Sequence, residues 1–239
     1  MDLLVTTDWL AGQLGADDLV VIDATVFLTL GPGGYLAESG RARFEEGHVP
    51  GAVFGDLTSD LCDPLSPDRF ALPEPSGLAT AFERLGVGDG RRVVLYDDNG
   101  RMWSTRLWFM LRWLGFDTAA VLDGGMTAWR AEGRPLESGP GTATPAPSGS
   151  LTVDVRPRLV ADKDEVMAAI GEGEVCLIDA LPSAAYRGEI APYGRAGHIP
   201  GAINVSGASL VDQETGHFRP LDAVRHHFPE RPEARVVAY

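Results

Sequence analysis

The sequence repeats itself: the segment GHVPGAV at residues 47–53 returns as GHIPGAI at residues 197–203. Three further blocks recur in the same order on either side of these segments. Residues 4–5 match 159–160, residues 20–24 match 175–180, and residues 92–96 match 235–239. Four matching blocks in one order predict a duplicated domain, because chance similarity would not keep the order.

Within each copy, short apolar runs alternate with stretches of helical spacing. Continuous apolar runs are typical of strands that a parallel sheet buries on both faces. The alternation therefore predicts an α/β fold, in which each copy is a parallel sheet flanked by helices. We expect a first domain at residues 1–134, a linker rich in Pro, Gly and Ser at 135–150, and a second domain at 151–239.

The following elements are predicted. Helices are expected at residues 8–14, 41–46, 77–85, 102–114, 126–131, 164–170 and 221–228, strands at 19–22, 52–54, 92–96, 119–122, 175–179, 202–205 and 235–239, and a glycine-rich loop at 31–34.

Charge and cysteine content exclude several classes of function. The formal net charge of −14 and the pI near 4.7 argue against nucleic acid or an anionic membrane as a partner. A membrane span and a signal peptide are not expected, because the apolar runs are short and no basic segment precedes one near Met1. Cys62 and Cys176 fit neither a disulfide framework nor a zinc site, so we expect a cytoplasmic protein without a metal.

Two GHxPGA segments, the V-V-x-Y strands and the segment LDGGMTAW at residues 122–129 together resemble the tandem rhodanese family of sulfurtransferases. The resemblance spans nearly the whole chain. It implies two α/β domains, the first catalytically degenerate and the second with a nucleophilic cysteine directly after the strand at residues 235–239. In that family the cysteine takes a sulfane sulfur from thiosulfate or 3-mercaptopyruvate and passes it to cyanide or a thiol, without a cofactor.

The chemistry of the loop after such a strand can be argued from the backbone. A tight loop between a strand and a helix N-terminus directs several N–H groups inward, and these hold a cysteine as thiolate. In the first copy the position is Asp97, whose carboxylate can accept the same hydrogen bonds but cannot carry sulfur. The first domain is therefore predicted to be inert in sulfur transfer.

In the second copy, the resemblance implies a cysteine that would follow Tyr239, so the second domain is expected to be incomplete in the 239 residues given. A chain that ends at Tyr239 is accordingly expected to show no turnover. Thiocyanate formation from cyanide by a preparation whose mass proves that it ends there would contradict this expectation.

Arg187 and Arg195 are the predicted substrate-binding residues. The segment Tyr186-Arg187-Gly188 and the arginine before Ala196-Gly197-His198 resemble the family's residues that grip the donor's sulfonate or carboxylate. Guanidinium groups hold oxyanions in a bidentate fork, which an acidic protein needs in order to attract a small anion. The alternative is that both arginines are solvated or paired with Glu189.

The histidines of the two motifs have a simpler interpretation. His48 and His198 occupy the same position in a predicted inert copy and a predicted active one, which favours a hydrogen bond that braces the loop. His48 keeps a minor possible role, because the first-domain histidine of mercaptopyruvate-type members is thought to reach the shared cleft. Asp23 and Asp179 are expected to accept backbone hydrogen bonds at strand ends.

Two other functions stay open from the sequence. One is a non-catalytic rhodanese-like module that binds an anion or a protein, which would hold if the residue after Tyr239 is not a nucleophile. The other is a phosphatase-like loop on the same fold. Residues 51–73 resemble the mercaptopyruvate-type branch in the placement of Ser-Pro and Leu-Pro.

Overall fold

A computed structural model describes residues 1–31, 34–141, 143–172, 174–228 and 235–239. Residues 32 and 33 of the predicted glycine-rich loop and residue 142 of the predicted linker lie outside the described residues. Two compact units make up the chain. The first consists of Met1–Phe27, Ala37–Pro157 and Glu214–His217, and the second of Leu28–Leu36, Arg158–Gln213 and Phe218–Tyr239.

The strands of the described residues are β1 (Leu4–Val5), β2 (Leu19–Asp23), β3 (Val26–Gly31), β4 (Gly34–Ser39), β5 (Val53–Phe54), β6 (Arg92–Tyr96), β7 (Ala119–Leu122), β8 (Val175–Asp179), β9 (Ile203–Asn204) and β10 (Arg235–Ala238). The helices are α1 (Thr7–Gln13), α2 (Arg41–Glu46), α3 (Pro75–Arg84), α4 (Met102–Trp113), α5 (Gly125–Ala131), α6 (Lys163–Ala169), α7 (Ser183–Tyr186) and α8 (Leu221–Val224). Each predicted helix and strand is confirmed with ends within two residues, except α8, which continues as a 3-10 turn at Arg225–His227.

The sheet of the first unit is parallel, with the strand order β1-β7-β6-β2-β5. Side chains alternate across it. Val94 and Tyr96 of β6 join a core cluster with Leu10 of α1 and Trp129 of α5. Leu95 between them is also fully buried, so the central strand is covered on both faces. This explains why its sequence is a continuous apolar run.

The sheet of the second unit is parallel as well, with the order β10-β8-β9. Leu177 of β8 packs with Val166 of α6, while Cys176 and Ile178 form a cluster of their own. Strand β10 is the counterpart of β6 in the repeat, yet Val236 in it is 57% exposed. Within the described residues, β10 has β8 as its neighbouring strand.

Strands β3 and β4 form a two-stranded sheet that the sequence did not predict. Gly31 and Gly34 were expected in a loop, but they end β3 and begin β4. The predicted loop was therefore too long at both ends. Four of the five residues at 30–34 are glycine or proline, which are typical of loops, so no strand was predicted next to them. Although its sequence belongs to the first copy, the hairpin segment Leu28–Leu36 lies in the second compact unit.

In the part that the structure describes, the predicted linker belongs to the first compact unit and is hydrogen-bonded to the rest of it. Glu137 exchanges two backbone hydrogen bonds with His48, each 2.9 Å long. The Ala146 amide donates to the Glu83 carbonyl at 2.8 Å. The domain limits at residues 134 and 151 stay a prediction.

No helix in the described ranges is both long and apolar enough to cross a membrane.

Candidate functional site

The motif loop of the second copy is held by a stacked aromatic pair and two hydrogen bonds. The ring of His198 lies on Tyr186, with centroids 3.7 Å apart. Its Nδ1 is 2.7 Å from the Tyr186 carbonyl oxygen, and because a carbonyl only accepts, Nδ1 is the donor. The Ile199 amide donates to the Tyr239 hydroxyl at 2.9 Å. The loop is thereby tied to the residue that follows β10.

The first copy builds the same arrangement. His48 stacks on Phe44 at 3.9 Å, and its Nδ1 is 2.8 Å from the Phe44 carbonyl oxygen. The Val49 amide donates to the Tyr96 hydroxyl at 3.2 Å. These are the bonds expected of histidines that brace a loop. His48 is 0% exposed, and its contribution to donor binding stays a prediction.

Asp97 follows Tyr96 and occupies a cradle of backbone N–H groups. Its carboxylate accepts from the amides of Asn99, Arg101 and Ser104 at 2.9, 3.0 and 2.9 Å, and from the Ser104 hydroxyl at 2.7 Å. Asp97 is fully buried. The loop after this strand therefore stabilises a negative charge, as the backbone argument predicts.

The cradle is closed by an unusual backbone position. Arg101 has φ 67°, in the left-handed region, and is only 2% exposed. Its guanidinium donates to the Asp97 carbonyl at 3.2 Å, and this packing leaves Gly125 no room for a side chain. An arginine and a carboxylate thus fill the first-copy loop.

A groove of about 1230 Å³ lies beside the motif loop of the second unit. Its walls include α6, the His198 loop and Tyr239, and both predicted substrate-binding arginines, Arg187 and Arg195, line it. The structure thus brings together two cations that are eight positions apart in sequence. Lys163, the one lysine of the chain, also lines the groove and was not predicted as a site residue.

The two arginines differ in their surroundings. Arg187 pairs with Glu189 through Nε at 2.6 Å and Nη2 at 3.0 Å, as the alternative interpretation expected. Hydrogen bonding to Glu189 raises the pKa of Arg187, and both side chains are more than half exposed. For Arg195, which is exposed, no ion pair is found with the described residues. Glu189 is thus the partner that the alternative interpretation named, whereas Asp162, a second acidic residue of the groove, was not predicted there.

The two cysteines lie elsewhere. Cys176 is buried within β8, and Cys62 donates weakly to the Ser59 carbonyl at 3.6 Å. Burial raises the pKa of the Cys62 thiol, and the carboxylates of Asp56, Asp63 and Asp60 raise it further. A raised pKa disfavours the Cys62 thiolate. Cys176 is enclosed within the sheet, so neither cysteine has the environment of a nucleophile.

The strand-end aspartates accept backbone hydrogen bonds, as expected. Asp23 accepts from the Thr25 amide at 2.8 Å, and Asp179 from the Leu181 amide at 2.8 Å. Burial raises the pKa of Asp23 to about 7. Among the residues that the structure describes, no group of three or more His, Cys, Asp or Glu side chains could hold a metal.

Comparison with known proteins gives consistent matches. The family model described as rhodanese-like domain matches residues 6–132 and 162–239. A probable 3-mercaptopyruvate sulfurtransferase of Pseudomonas aeruginosa is 34% identical over 245 aligned residues, which cover 99% of this chain and 83% of that protein. A putative thiosulfate sulfurtransferase of Mycobacterium tuberculosis is 37% identical over 220 residues, covering 89% and 74%.

Among solved structures, the crystal structure of SseA from Escherichia coli, a 3-mercaptopyruvate sulfotransferase with the rhodanese fold, superposes with a TM-score of 0.84. The two sequences are 30% identical, and the match covers all of this chain and 88% of that one.

Proposed function

Because the chain belongs to the rhodanese family of sulfurtransferases, we propose that its second copy takes a sulfane sulfur from a small anionic donor that Arg187 and Arg195 hold. Thiosulfate and 3-mercaptopyruvate are the donor candidates, and cyanide or a thiol is the acceptor. The observation that carries the proposal is the shared groove, which both arginines line beside Tyr239.

Local charge supports an anionic donor. The protein as a whole carries a formal charge of −14, so it repels anions at a distance. At one groove, Arg187, Arg195 and Lys163 outnumber the two acidic residues Asp162 and Glu189, and two guanidinium forks there can bind the oxygens of a sulfonate or carboxylate. Glu189 holds Arg187 in place before the donor arrives, and the donor then competes with it for the same N–H groups.

We place the nucleophilic cysteine directly after Tyr239. Tyr239 makes the same hydrogen bond to its motif loop as Tyr96, and Asp97 shows what the next position receives in the first copy. Three backbone amides there stabilise a negative charge. An equivalent loop after Tyr239 would lower the pKa of a cysteine thiol and stabilise its persulfide.

The transfer proceeds in two displacements. The thiolate attacks the outer sulfur of thiosulfate or the thiol sulfur of 3-mercaptopyruvate. A persulfide forms as the bond between that sulfur and the rest of the donor breaks. The bonding electron pair leaves with sulfite from thiosulfate, or with the enolate of pyruvate from 3-mercaptopyruvate. Cyanide or a thiolate then attacks the outer sulfur and returns the cysteine as thiolate.

The intact mass of the full-length protein tests the chemistry. Treatment with thiosulfate or 3-mercaptopyruvate should add one sulfur atom, and cyanide should remove it. A full-length protein that gains no sulfur from either donor contradicts the proposal. The donor that loads the protein at the lower concentration identifies the preferred substrate.

Arginine variants test the binding site. Arg187→Ala and Arg195→Ala should each raise KM for the donor roughly tenfold or more, the size of one lost charge-assisted contact, with a smaller change in kcat. Arg219→Ala is the matched control, because Arg219 is an exposed arginine of the second unit that lies outside the groove and near Asp212. Equal KM values in all three variants would refute the assignment.

We further propose the cytoplasm as the compartment. Cys62 and Cys176 are both free thiols, which a reducing environment preserves.

A further inference from the structure

We propose that the hairpin β3–β4 is a positioning element for Arg195. The hairpin comes from the first copy of the sequence, and Arg195 from the second. This inference rests on the proposed role of Arg195 in donor binding. It concerns a segment that lies outside the repeated motifs of the sequence.

The hairpin holds the loop before Arg195 by a backbone hydrogen bond. The Tyr35 amide, at the start of β4, donates to the Pro192 carbonyl at 2.9 Å. Both residues belong to the second compact unit. The contact therefore joins the hairpin to the same unit that contains the groove.

Gly34 permits this approach. Its φ is +108°, a conformation that residues with a side chain rarely adopt. A Cβ atom at this position would lie 2.5 Å from the Pro192 carbonyl oxygen and 3.3 Å from the Pro192 carbonyl carbon. Any other residue would push the hairpin and the loop apart.

Pro192 is the anchor of an otherwise exposed stretch. It is buried, whereas Ala191 and residues 193–198 are exposed. The ring of Tyr193 meets Tyr35 edge to face, with centroids 5.9 Å apart and planes at 70°. Aromatic pairs in this arrangement add a specific attraction to the buried area, so the ring contact supports the hydrogen bond.

A tight turn connects the anchored Pro192 to Arg195. The Gly194 amide donates to the Ala191 carbonyl at 3.1 Å, and Gly194 has φ +81°. Arg195 is the next residue, three positions after Pro192. Its backbone therefore leaves a turn whose centre is clamped to the hairpin.

Arg187 is held by a different device. Its amide donates to the Ser183 carbonyl at 3.0 Å, at the end of α7. The two guanidinium groups of the groove thus have separate anchors, α7 for Arg187 and the hairpin for Arg195. A shift of the hairpin changes their spacing, which affects how well the donor anion is gripped and leaves the reacting sulfur atoms untouched.

Two glycine variants in the same hairpin test the proposal in the full-length protein. Gly34→Ala should raise KM for thiosulfate or 3-mercaptopyruvate roughly tenfold, as Arg195→Ala does, with kcat within about twofold of wild type. Gly31→Ala is the control, because a Cβ there would meet Leu36 at an ordinary 3.4 Å and Gly31 does not have a positive φ. Its KM should stay within about twofold of wild type.

Trypsin gives a second measurement that needs no catalysis. The bond after Arg195 is exposed, and its cleavage rate reports how firmly the loop is held. We expect faster cleavage in Gly34→Ala and in Tyr35→Ala than in wild type or Gly31→Ala, measured by mass spectrometry of the fragments. Tyr35→Ala keeps the backbone and removes only the ring contact, so it serves if Gly34→Ala does not fold.

The outcomes separate the two proposals. If Arg195→Ala leaves KM unchanged, the proposed role of Arg195 in donor binding fails and the positioning role fails with it. If Arg195→Ala raises KM while Gly34→Ala and Tyr35→Ala match wild type in KM and cleavage, only the positioning role is overturned.

Discussion

The two motif loops make the same bonds in very different surroundings. In both copies a histidine stacks on an aromatic ring, and its Nδ1 donates to that residue's carbonyl. His48 is nevertheless completely buried, whereas His198 is exposed. Tyr96 is 0% exposed, and its counterpart Tyr239 is 37% exposed. The motif geometry is therefore independent of the degree of burial.

The difference comes from what packs over each loop. In the first unit, Met126 and Trp129 of α5 join the cluster that contains Phe44 and Tyr96, and both are almost fully buried. In the described part of the second unit, the corresponding side of the loop is an open groove with Tyr239 in its wall. The residues of the first copy that supply this cover follow Tyr96, and their counterparts would follow Tyr239, so the contrast applies to the 239 residues given.

The largest expected contrast is between the two stacked aromatic residues. Phe44→Ala should lower the free energy of unfolding by about 3–5 kcal/mol, because a fully buried ring leaves a cavity. Tyr186→Ala should cost roughly 1–2 kcal/mol, because Tyr186 is only half-buried. Urea unfolding measures the first through tryptophan fluorescence, since all five tryptophans belong to the first copy.

Hydrogen exchange of the β8 amides measures the effect of Tyr186→Ala in the second unit. Equal losses for Phe44→Ala and Tyr186→Ala would show that burial does not separate the two loops.

The second prediction concerns how the stability of the first unit depends on pH through Asp23 of β2. Burial raises the pKa of Asp23 from 3.8 to about 7, so between these values the folded state keeps a proton that the unfolded state has lost. The contribution of Asp23 to the free energy of unfolding should therefore fall by roughly 2–4 kcal/mol as pH rises from about 4 to 7. Above that range this contribution should stay constant.

Asp23→Asn should remove this part of the pH dependence, because an amide does not ionise and its oxygen can still accept from Thr25. Urea midpoints of wild type and variant at pH 5 and pH 8 provide the measurement. A parallel decline in both proteins would mean that another group is responsible.

The smallest contrast is between the tyrosine hydroxyls. Tyr96→Phe leaves the buried Val49 amide without its acceptor, which should cost about 1–3 kcal/mol. In a chain of these 239 residues, Tyr239→Phe should cost less than about 1 kcal/mol, because water can reach the partly exposed Ile199 amide. Exchange rates of these two amides should show the same order. A larger effect at Tyr239 would indicate that the second loop is more protected than its exposure suggests.

Much of the fold could be predicted because its signals are local. The apolar runs of β2, β6 and β8 identified the buried strands, and the repeated motif identified both histidine loops. The acceptor roles of Asp23 and Asp179 followed from their places at strand ends, where a carboxylate can reach amides two residues further along.

The candidate site was predicted in its arginines but not in its charge balance. Arg187 and Arg195 line one groove, as the resemblance implied. Asp162 and Lys163 also lie there and belong to no motif, whereas Glu189 had been named as the alternative partner of the arginines. Their positions depend on how α6 and the motif loop pack, which sequence spacing alone does not reveal.

The sequence by itself determined the duplication, the order of the strands and helices other than β1, β3, β4 and α7, and the bracing role of the motif histidines, because each depends on residues close together in the chain or on a repeated pattern. Only the tertiary structure decided where hairpin β3–β4 packs. The Tyr35 amide meets the Pro192 carbonyl across more than 150 positions. A contact of that kind depends on the backbone path between the two residues, and hydrophobic periodicity carries no information about it.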